Sequence, residues 1–171
     1  MIGDNESQAA TLCKYCGLCC TGHLFIWAKL KPSELDPAEK LGMHVFRSDP
    51  SQRGFSHPCP LWKGQCTIYT TSNYPRVCRA YRCKLLKELI AENIALSAAQ
   101  EIVDQAKQMI HELEPRLPVS PVVNFRERLV AYIEQPDVNP NRINSYLEFR
   151  EDADKLLHFI GENFGVTDFL E

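Results

Sequence analysis

Hydrophobic residues recur at every third or fourth position through much of residues 84–171, and this spacing predicts helices. The clearest stripe covers residues 102–113. It follows Ser97 and Gln100, which are spaced as a capping box, and it stops before Pro115. We therefore predict a helix that starts at Ser97 and ends near residue 113.

Three further stripes predict three more helices in this half of the chain. They are the segment CKLLKELIAEN, a segment that starts at Ser120 with Pro121, and a segment that starts at Asn139 with Pro140 and ends near Gly161. We expect the hydrophobic faces to pack against one another, or to form the contact of a homodimer or of another protein partner.

The pattern in residues 1–83 predicts shorter elements. HLFIWAKL and QCTIYTT alternate as strands do, and SELDPAEKLG predicts a short helix that Ser33 caps and Gly42 ends. Short elements bury little hydrophobic surface, so a small lobe often needs metal crosslinks. The sequence thus predicts an α+β fold. A small lobe of short strands, loops and one short helix, residues 1–83, precedes a helical lobe, residues 84–171, and the two can form one compact domain.

The composition is that of a globular chain. Its 44% hydrophobic and 24% charged residues exclude a disordered or collagen-like protein. The first twelve residues lack the basic and apolar regions of a secretory signal, and no run approaches the roughly 18 apolar residues of a membrane span. We therefore expect a cytoplasmic protein without a membrane partner.

The cysteines carry the strongest chemical signal, because all eight lie within residues 1–83. They are Cys13, Cys16, Cys19, Cys20, Cys59, Cys66, Cys78 and Cys83. In a reducing compartment they are not expected to form four structural disulfides, so metal binding or redox chemistry is the leading interpretation. The same half carries ten Lys or Arg and six Asp or Glu, and this positive excess would partly balance thiolate charge.

The spacing in CKYCGLCC favours a site with more than one metal atom. Cys13, Cys16 and Cys19 partly match the run that binds a [4Fe–4S] cluster, but His23 stands where the fourth cysteine is expected. Neighbouring side chains point apart in extended backbone, so Cys19 and Cys20 are better suited to two ions, or to two atoms of one cluster. With the four later cysteines, the chain has enough thiols for two sets of four ligands.

At these residues the chain resembles the YkgJ-like family of cysteine-cluster proteins, which is described as a zinc- or iron-chelating domain. The resemblance covers roughly residues 10–112 and lies in CKYCGLCCTGHLF, PCPLWKGQCTIY and PRVCRAYRCKLL. It implies that all eight cysteines chelate zinc or iron, with an iron–sulfur cluster as one form of the site. A similar cysteine cluster occurs in flagellin lysine N-methylases. The chain departs from the family pattern by two extra residues after Tyr69 and by Tyr74 in place of an arginine.

Several other side chains near the cysteines have alternative roles. Arg76, Arg79 and Arg82 are spaced to hydrogen-bond cysteine sulfur and offset its charge, or else to lie in solvent. His23 and His57 are of a type that ligates zinc or iron. Because eight cysteines already fill two sites, a position beside the ligands is the leading interpretation for both histidines.

Enzyme motifs for phosphate loops, dinucleotides, zinc proteases and serine nucleophiles do not occur, and catalysis stays open. We predict a metal-binding or iron–sulfur protein that acts in electron transfer, in metal handling or as an accessory factor. One alternative is a cluster-dependent enzyme of redox or methyl-transfer type. The other is a zinc-stabilised module that binds a partner through its basic half. Nucleic acid is the less favoured partner, since no reader motif accompanies the aromatic residues.

Overall fold

The computed structural model describes residues 2–134 and 143–168, and it has the predicted α+β fold. A small antiparallel sheet and short helices come first, and a mainly helical region follows. The elements in chain order are α1 (Ile2–Cys16), β1 (Trp27–Lys29), α2 (Pro32–Lys40), β2 (Val45–Phe46), β3 (Gly54–Ser56), α3 (Arg76–Ala80), α4 (Lys84–Ile90), α5 (Leu96–Leu113), a 3-10 turn (Glu114–Arg116), α6 (Phe125–Glu134) and α7 (Ile143–Phe164).

The sheet has the strand order β1–β3–β2, and both pairings are antiparallel. Lys29 pairs with Gly54, while Val45 pairs with Phe55 from the other edge. Phe55 is 1% exposed and is the centre of a hydrophobic group that we name the sheet cluster. Its buried members are Leu30, Leu35, Ala38, Met43, Phe55 and Ile68.

A larger hydrophobic group, the helical cluster, contains the buried faces of α4, α5, α6 and α7. It also contains Leu12, Leu18 and Leu24 from the start of the chain, because α1 packs against α4 and α5. The first 24 residues therefore contribute to the same core as the C-terminal helices. No helix in the described ranges is long and apolar enough to cross a membrane.

The predicted helices of the second half exist, but several of their ends differ. Helix α5 begins at Leu96 with Ala95 at its N-cap position and has no side-chain cap, so the predicted capping box at Ser97 is wrong. Helix α6 begins at Phe125 rather than at Ser120, because Asn124 Oδ1 accepts a hydrogen bond from the amide of Glu127 at 3.0 Å. Helix α7 continues through Gly161 to Phe164. The predicted start at Asn139 lies outside the described residues.

The first half differs more from the sequence prediction. Only Trp27–Lys29 of HLFIWAKL forms a strand, and QCTIYTT forms turns instead of the predicted strand. Helix α2 begins at Pro32, so Ser33 lies inside it. The backbone amide of Lys31 caps this helix by donating to the Glu34 carboxylate at 2.9 Å. Helix α1 and the short strands β2 and β3 were not predicted.

Candidate metal centre

Eight free thiols, all partly buried, lie in two stretches of the chain, residues 13–20 and 59–83. Cys13 and Cys16 lie in the last turns of α1, Cys19 and Cys20 follow in a loop, and the other four belong to residues 59–83. A cavity of about 280 Å³, which we name the cysteine cavity, lies where these segments meet. The cysteines that line it are Cys13, Cys16, Cys19, Cys20, Cys78 and Cys83.

The thiols divide between the two hydrophobic clusters. Cys16, Cys19 and Cys83 pack against the helical cluster. Cys59, Cys66 and Cys78 pack against the sheet cluster. The cysteine cavity is therefore lined by thiols from both cores.

The thiols can be grouped by which of them raise one another's pKa. A first set contains Cys13, Cys16, Cys19 and Cys83. Burial raises the pKa of the Cys16 thiol to about 12, against a backbone hydrogen bond from Leu18, and the thiols of Cys83 and Cys13 raise it further. Burial also raises the pKa of Cys19 well above its ordinary value, and Cys16 is the strongest of the thiols that add to this shift. These four side chains share one region of space.

A second set contains Cys20, Cys59, Cys66 and Cys78. Burial raises the pKa of the Cys20 thiol, and Cys59, Cys78 and Cys66 raise it further, in that order. Burial raises the pKa of Cys78 to about 12, and Cys59 and Cys66 raise it further. The adjacent residues Cys19 and Cys20 thus differ in the thiols that affect their pKa most, although Cys20 also raises the pKa of Cys19. Cys13 also interacts with members of the second set.

The loop between the two sets is held by backbone geometry. Gly17 follows the last residue of α1 with φ +69°, and its carbonyl accepts a hydrogen bond from the amide of Thr21 at 2.9 Å. The indole ring of Trp62 packs on Gly17. The amide of Cys59 donates to the carbonyl of Cys20 at 2.7 Å, which ties the CKYCGLCC loop to the later cysteine segment.

Basic side chains partly offset the effect of burial on the pKa of three thiols, and Lys87 does so for Cys83. Arg82 lowers the pKa of Cys13, and Lys107 lowers that of Cys16, although burial dominates in both cases. Lys107 Nζ donates to the carbonyl of Tyr15 at 2.8 Å and lies 4.5 Å from the centroid of that ring. Lys107 belongs to α5, and the sequence carried no signal for its role, since 92 residues separate it from Tyr15.

The three predicted arginines take different positions. The Arg82 guanidinium donates to the carbonyls of Arg79 and Tyr81. Arg79 donates to the carbonyl of Thr71 at 3.4 Å and lies 5.6 Å from the ring centroid of Tyr74. Arg76 lines a different cavity. Their predicted role beside the cysteines stays a prediction. Arg82 supports it, since its charge lowers the pKa of the Cys13 thiol against the larger effect of burial.

The two histidines are mainly buried and neutral at physiological pH. Burial lowers the pKa of His57 to about 4, against a hydrogen bond with the backbone of Cys20 that raises it. Burial also lowers the pKa of His23 to about 4, and Lys107 adds to this shift. Neutral imidazole can ligate a metal, but neither ring belongs to a closed ligand group.

The donor set fits zinc or iron in its chemistry, since both metals accept thiolate ligands in sets of four. Within residues 2–134 and 143–168, no group of three or more His, Cys, Asp or Glu side chains is arranged to hold a metal ion.

Comparisons with family models, with curated proteins and with solved structures find no match to this chain. The resemblance to cysteine-cluster proteins therefore stays a prediction from the motifs themselves.

Proposed function

We propose that this is a cytoplasmic protein that chelates zinc or iron through two linked sets of four cysteines, of the kind found in YkgJ-like cysteine-cluster proteins. The observation that carries the proposal is that Cys19 and Cys20 have different thiol neighbours. Burial raises the pKa of both thiols, and the further contribution comes mainly from Cys16 for Cys19 and from Cys59 and Cys78 for Cys20. An adjacent pair that serves two sets explains why the chain has eight thiols rather than four.

The energetics of the thiols also favour a bound cation. Raising the pKa of Cys16 from 9.0 to about 12 opposes its ionisation by about 4 kcal/mol. Several such thiols ionise together only when positive charge lies between them. A structural zinc site in small zinc peptides contributes about 10–16 kcal/mol, which exceeds the cost for one such thiol and is of the same order as the cost for a set of four.

The chain's own residues would hold the metal atoms in place. The Gly17 turn and the Cys59–Cys20 backbone hydrogen bond fix the two loops, and Lys107 supplies positive charge beside Cys16. Zinc would supply a closed tetrahedral link between the two hydrophobic clusters, and an iron–sulfur cluster would also supply electron transfer.

The size of the cysteine cavity favours a second candidate, a cluster-dependent enzyme of redox or methyl-transfer type. A volume of about 280 Å³ exceeds the space that one ion needs, and it approaches that of small-ligand sites. Trp27 and Tyr81 line this cavity and are each 38% exposed. These aromatic side chains would contact a substrate next to the cysteines.

Elemental analysis and visible absorption of anaerobically purified protein test the proposal. We expect metal in amounts that Cys16→Ser and Cys20→Ser each lower by about half, with Ser97→Ala as the surface control. Iron would also give a visible band that fades in both cysteine variants. Full metal retention in Cys20→Ser alone would contradict the assignment of two sets.

A further inference from the structure

The side chain of Asn124, which directly precedes α6, is buried and hydrogen-bonds to three backbone groups. Its Nδ2 donates to the carbonyl of Phe25 at 3.1 Å and to the carbonyl of His57 at 3.3 Å. Its Oδ1 accepts from the amide of Glu127 at 3.0 Å and so caps α6. An asparagine amide has two N–H donors and one carbonyl oxygen, and all of them are used here.

The two carbonyls belong to the segments that carry cysteines of the second set. Cys20 lies before Phe25 in the loop that follows α1, and Cys59 lies two residues after His57. Backbone bonds join the same segments. The amide of His57 donates to the carbonyl of Ile26 at 2.8 Å, and the amide of Cys59 donates to the carbonyl of Cys20 at 2.7 Å. The asparagine amide therefore bridges two segments that are also paired through their backbones.

The first turn of α6 also holds the loop that follows the adjacent cysteines. The amide of Arg126 donates to the carbonyl of Gly22 at 3.3 Å, and its Nη1 donates to the carbonyl of Leu24 at 2.6 Å. The Asn124 side chain packs on the backbone here, since a β carbon on Gly22 would lie 2.6 Å from Nδ2. The position of this loop is thus set by a helix from the other half of the chain.

We infer that Asn124 is a positioning residue for the second cysteine set, an inference that rests on the proposed function. It acts through the backbone of the Cys20 and Cys59 segments, which it holds together before a metal binds. Less conformational entropy is then lost when the thiolates converge on a metal, so the affinity of this set rises. The first set lies mainly on α1 and at the start of α4, which pack directly against each other, so its affinity depends less on this side chain.

Two substitutions separate this role from the capping of α6. Asn124→Ser removes both donors but keeps a side-chain oxygen that can cap the helix. Asn124→Asp also removes both donors, and it keeps the shape of the side chain as well as the cap. The carbonyls of Phe25 and His57 lose a hydrogen bond in either variant, and a buried carbonyl without a partner costs free energy unless the backbone moves. The expected result is a loosened second set on a helix that still forms.

Competition with a chromophoric chelator and alkylation of the full chain in the presence of zinc test the inference. The competition measures zinc affinity, and mass spectrometry of the alkylated protein shows which thiols zinc protects. We expect Asn124→Ser to weaken the binding of zinc to the second set about tenfold. Cys20 and Cys59 should then be alkylated at zinc concentrations that still protect Cys16 and Cys83.

Asn163→Ser is the matched control. The Asn163 amide also donates to a backbone carbonyl, that of Phe159 at 2.9 Å, but this bond lies within α7. The control should change the zinc affinity of either set less than about twofold. Thermal unfolding of the metal-free proteins is measured as well, and Asn124→Asp decides the question if the serine variant does not fold.

Wild-type zinc affinity in the Asn124 variants would overturn the inference. So would equal loss of protection at Cys16 and Cys59, because a general loss of stability affects both sets alike. Absence of metal from the wild type would instead contradict the proposed function, and the inference with it. The wild-type sample therefore tells the two failures apart.

Discussion

The indole ring of Trp62 lies directly against the backbone of Gly17, so closely that a β carbon on this glycine would lie 2.1 Å from Cζ2 of the ring. The contact joins the turn after Cys16 to the segment between Cys59 and Cys66. It therefore couples the loop of the first cysteine set to a loop of the second. No side chain larger than hydrogen fits at this position without moving the ring.

Gly17→Ala should lower the free energy of unfolding by about 3 kcal/mol and reduce metal content. The new methyl group overlaps Trp62, and the backbone φ of +69° is unfavourable for alanine. Gly64→Ala is the control, because φ is +79° there but no atom lies within 4 Å of the new β carbon. It should cost only about 1 kcal/mol. Denaturant unfolding that gave equal losses for the two variants would show that the Trp62 contact is unimportant.

Removal of the metal should loosen residues 10–83 before the helical part of the chain. Thiolate sites contribute their binding free energy to folding, and the sheet cluster has only six buried hydrophobic residues. After chelation under reducing conditions, we expect faster amide exchange in β1 and β3 while α5 and α7 keep their protection. Re-addition of the metal should restore the original rates. Unchanged exchange in β1 and β3 would contradict this prediction.

Metal-free protein should lose stability as the pH falls from about 6.5 to 4. The pKa of His23 and that of His57 are each about 4 in the folded chain but 6.5 when unfolded. The unfolded chain therefore takes up protons first, and the loss reaches about 3 kcal/mol per histidine at its upper limit. Unfolding of His57→Gln should depend less on pH across this range. His158→Gln, at an exposed position of α7, should retain the wild-type slope.

Lys107→Met should weaken metal binding about threefold to tenfold. The substitution removes the positive charge that lowers the pKa of Cys16, together with the hydrogen bond to the carbonyl of Tyr15. Competition with a chromophoric chelator measures this affinity. Lys155→Met, on the exposed face of α7, is the charge-matched control. A weakening of the same size in both variants would assign the effect to overall charge.

Self-association through the helical half stays a prediction. Ile143 and Leu147 lie one turn apart on α7 and are 46% and 57% exposed, so they form an apolar strip on the surface. Sedimentation should show a dimer for the wild type and a monomer for Leu147→Lys, with similar thermal stability. A wild-type monomer at high concentration would remove the prediction.

The helical part of the fold could be predicted because its hydrophobic spacing matches the helix repeat over many residues, as in α5. QCTIYTT was misread because alternation alone does not provide a pairing partner. Its threonines instead form local bonds, such as that from Thr67 Oγ1 to the carbonyl of Leu61 at 3.0 Å.

The sequence alone indicates the eight cysteines as candidate ligands, and their division into two sets of four stays a prediction. The sequence could not predict which thiol joins which set, because Cys83 meets Cys13 and Cys16 only after α1 has packed against α4.

The two hydrophobic clusters imply that the sheet part is an insertion into a helical domain. The chain leaves the helical cluster after Phe25 and returns to it at Cys83. The ends of the insertion are adjacent. The rings of Phe25 and Tyr81 pack edge to face, and their centroids are 5.2 Å apart. A chain in which a short linker joined these two points would keep α1 together with α4, α5 and α7. In the intact protein, Cys19 and Cys20 precede the insertion and Cys83 follows it. A metal bound by these cysteines would link the insertion to the helical part.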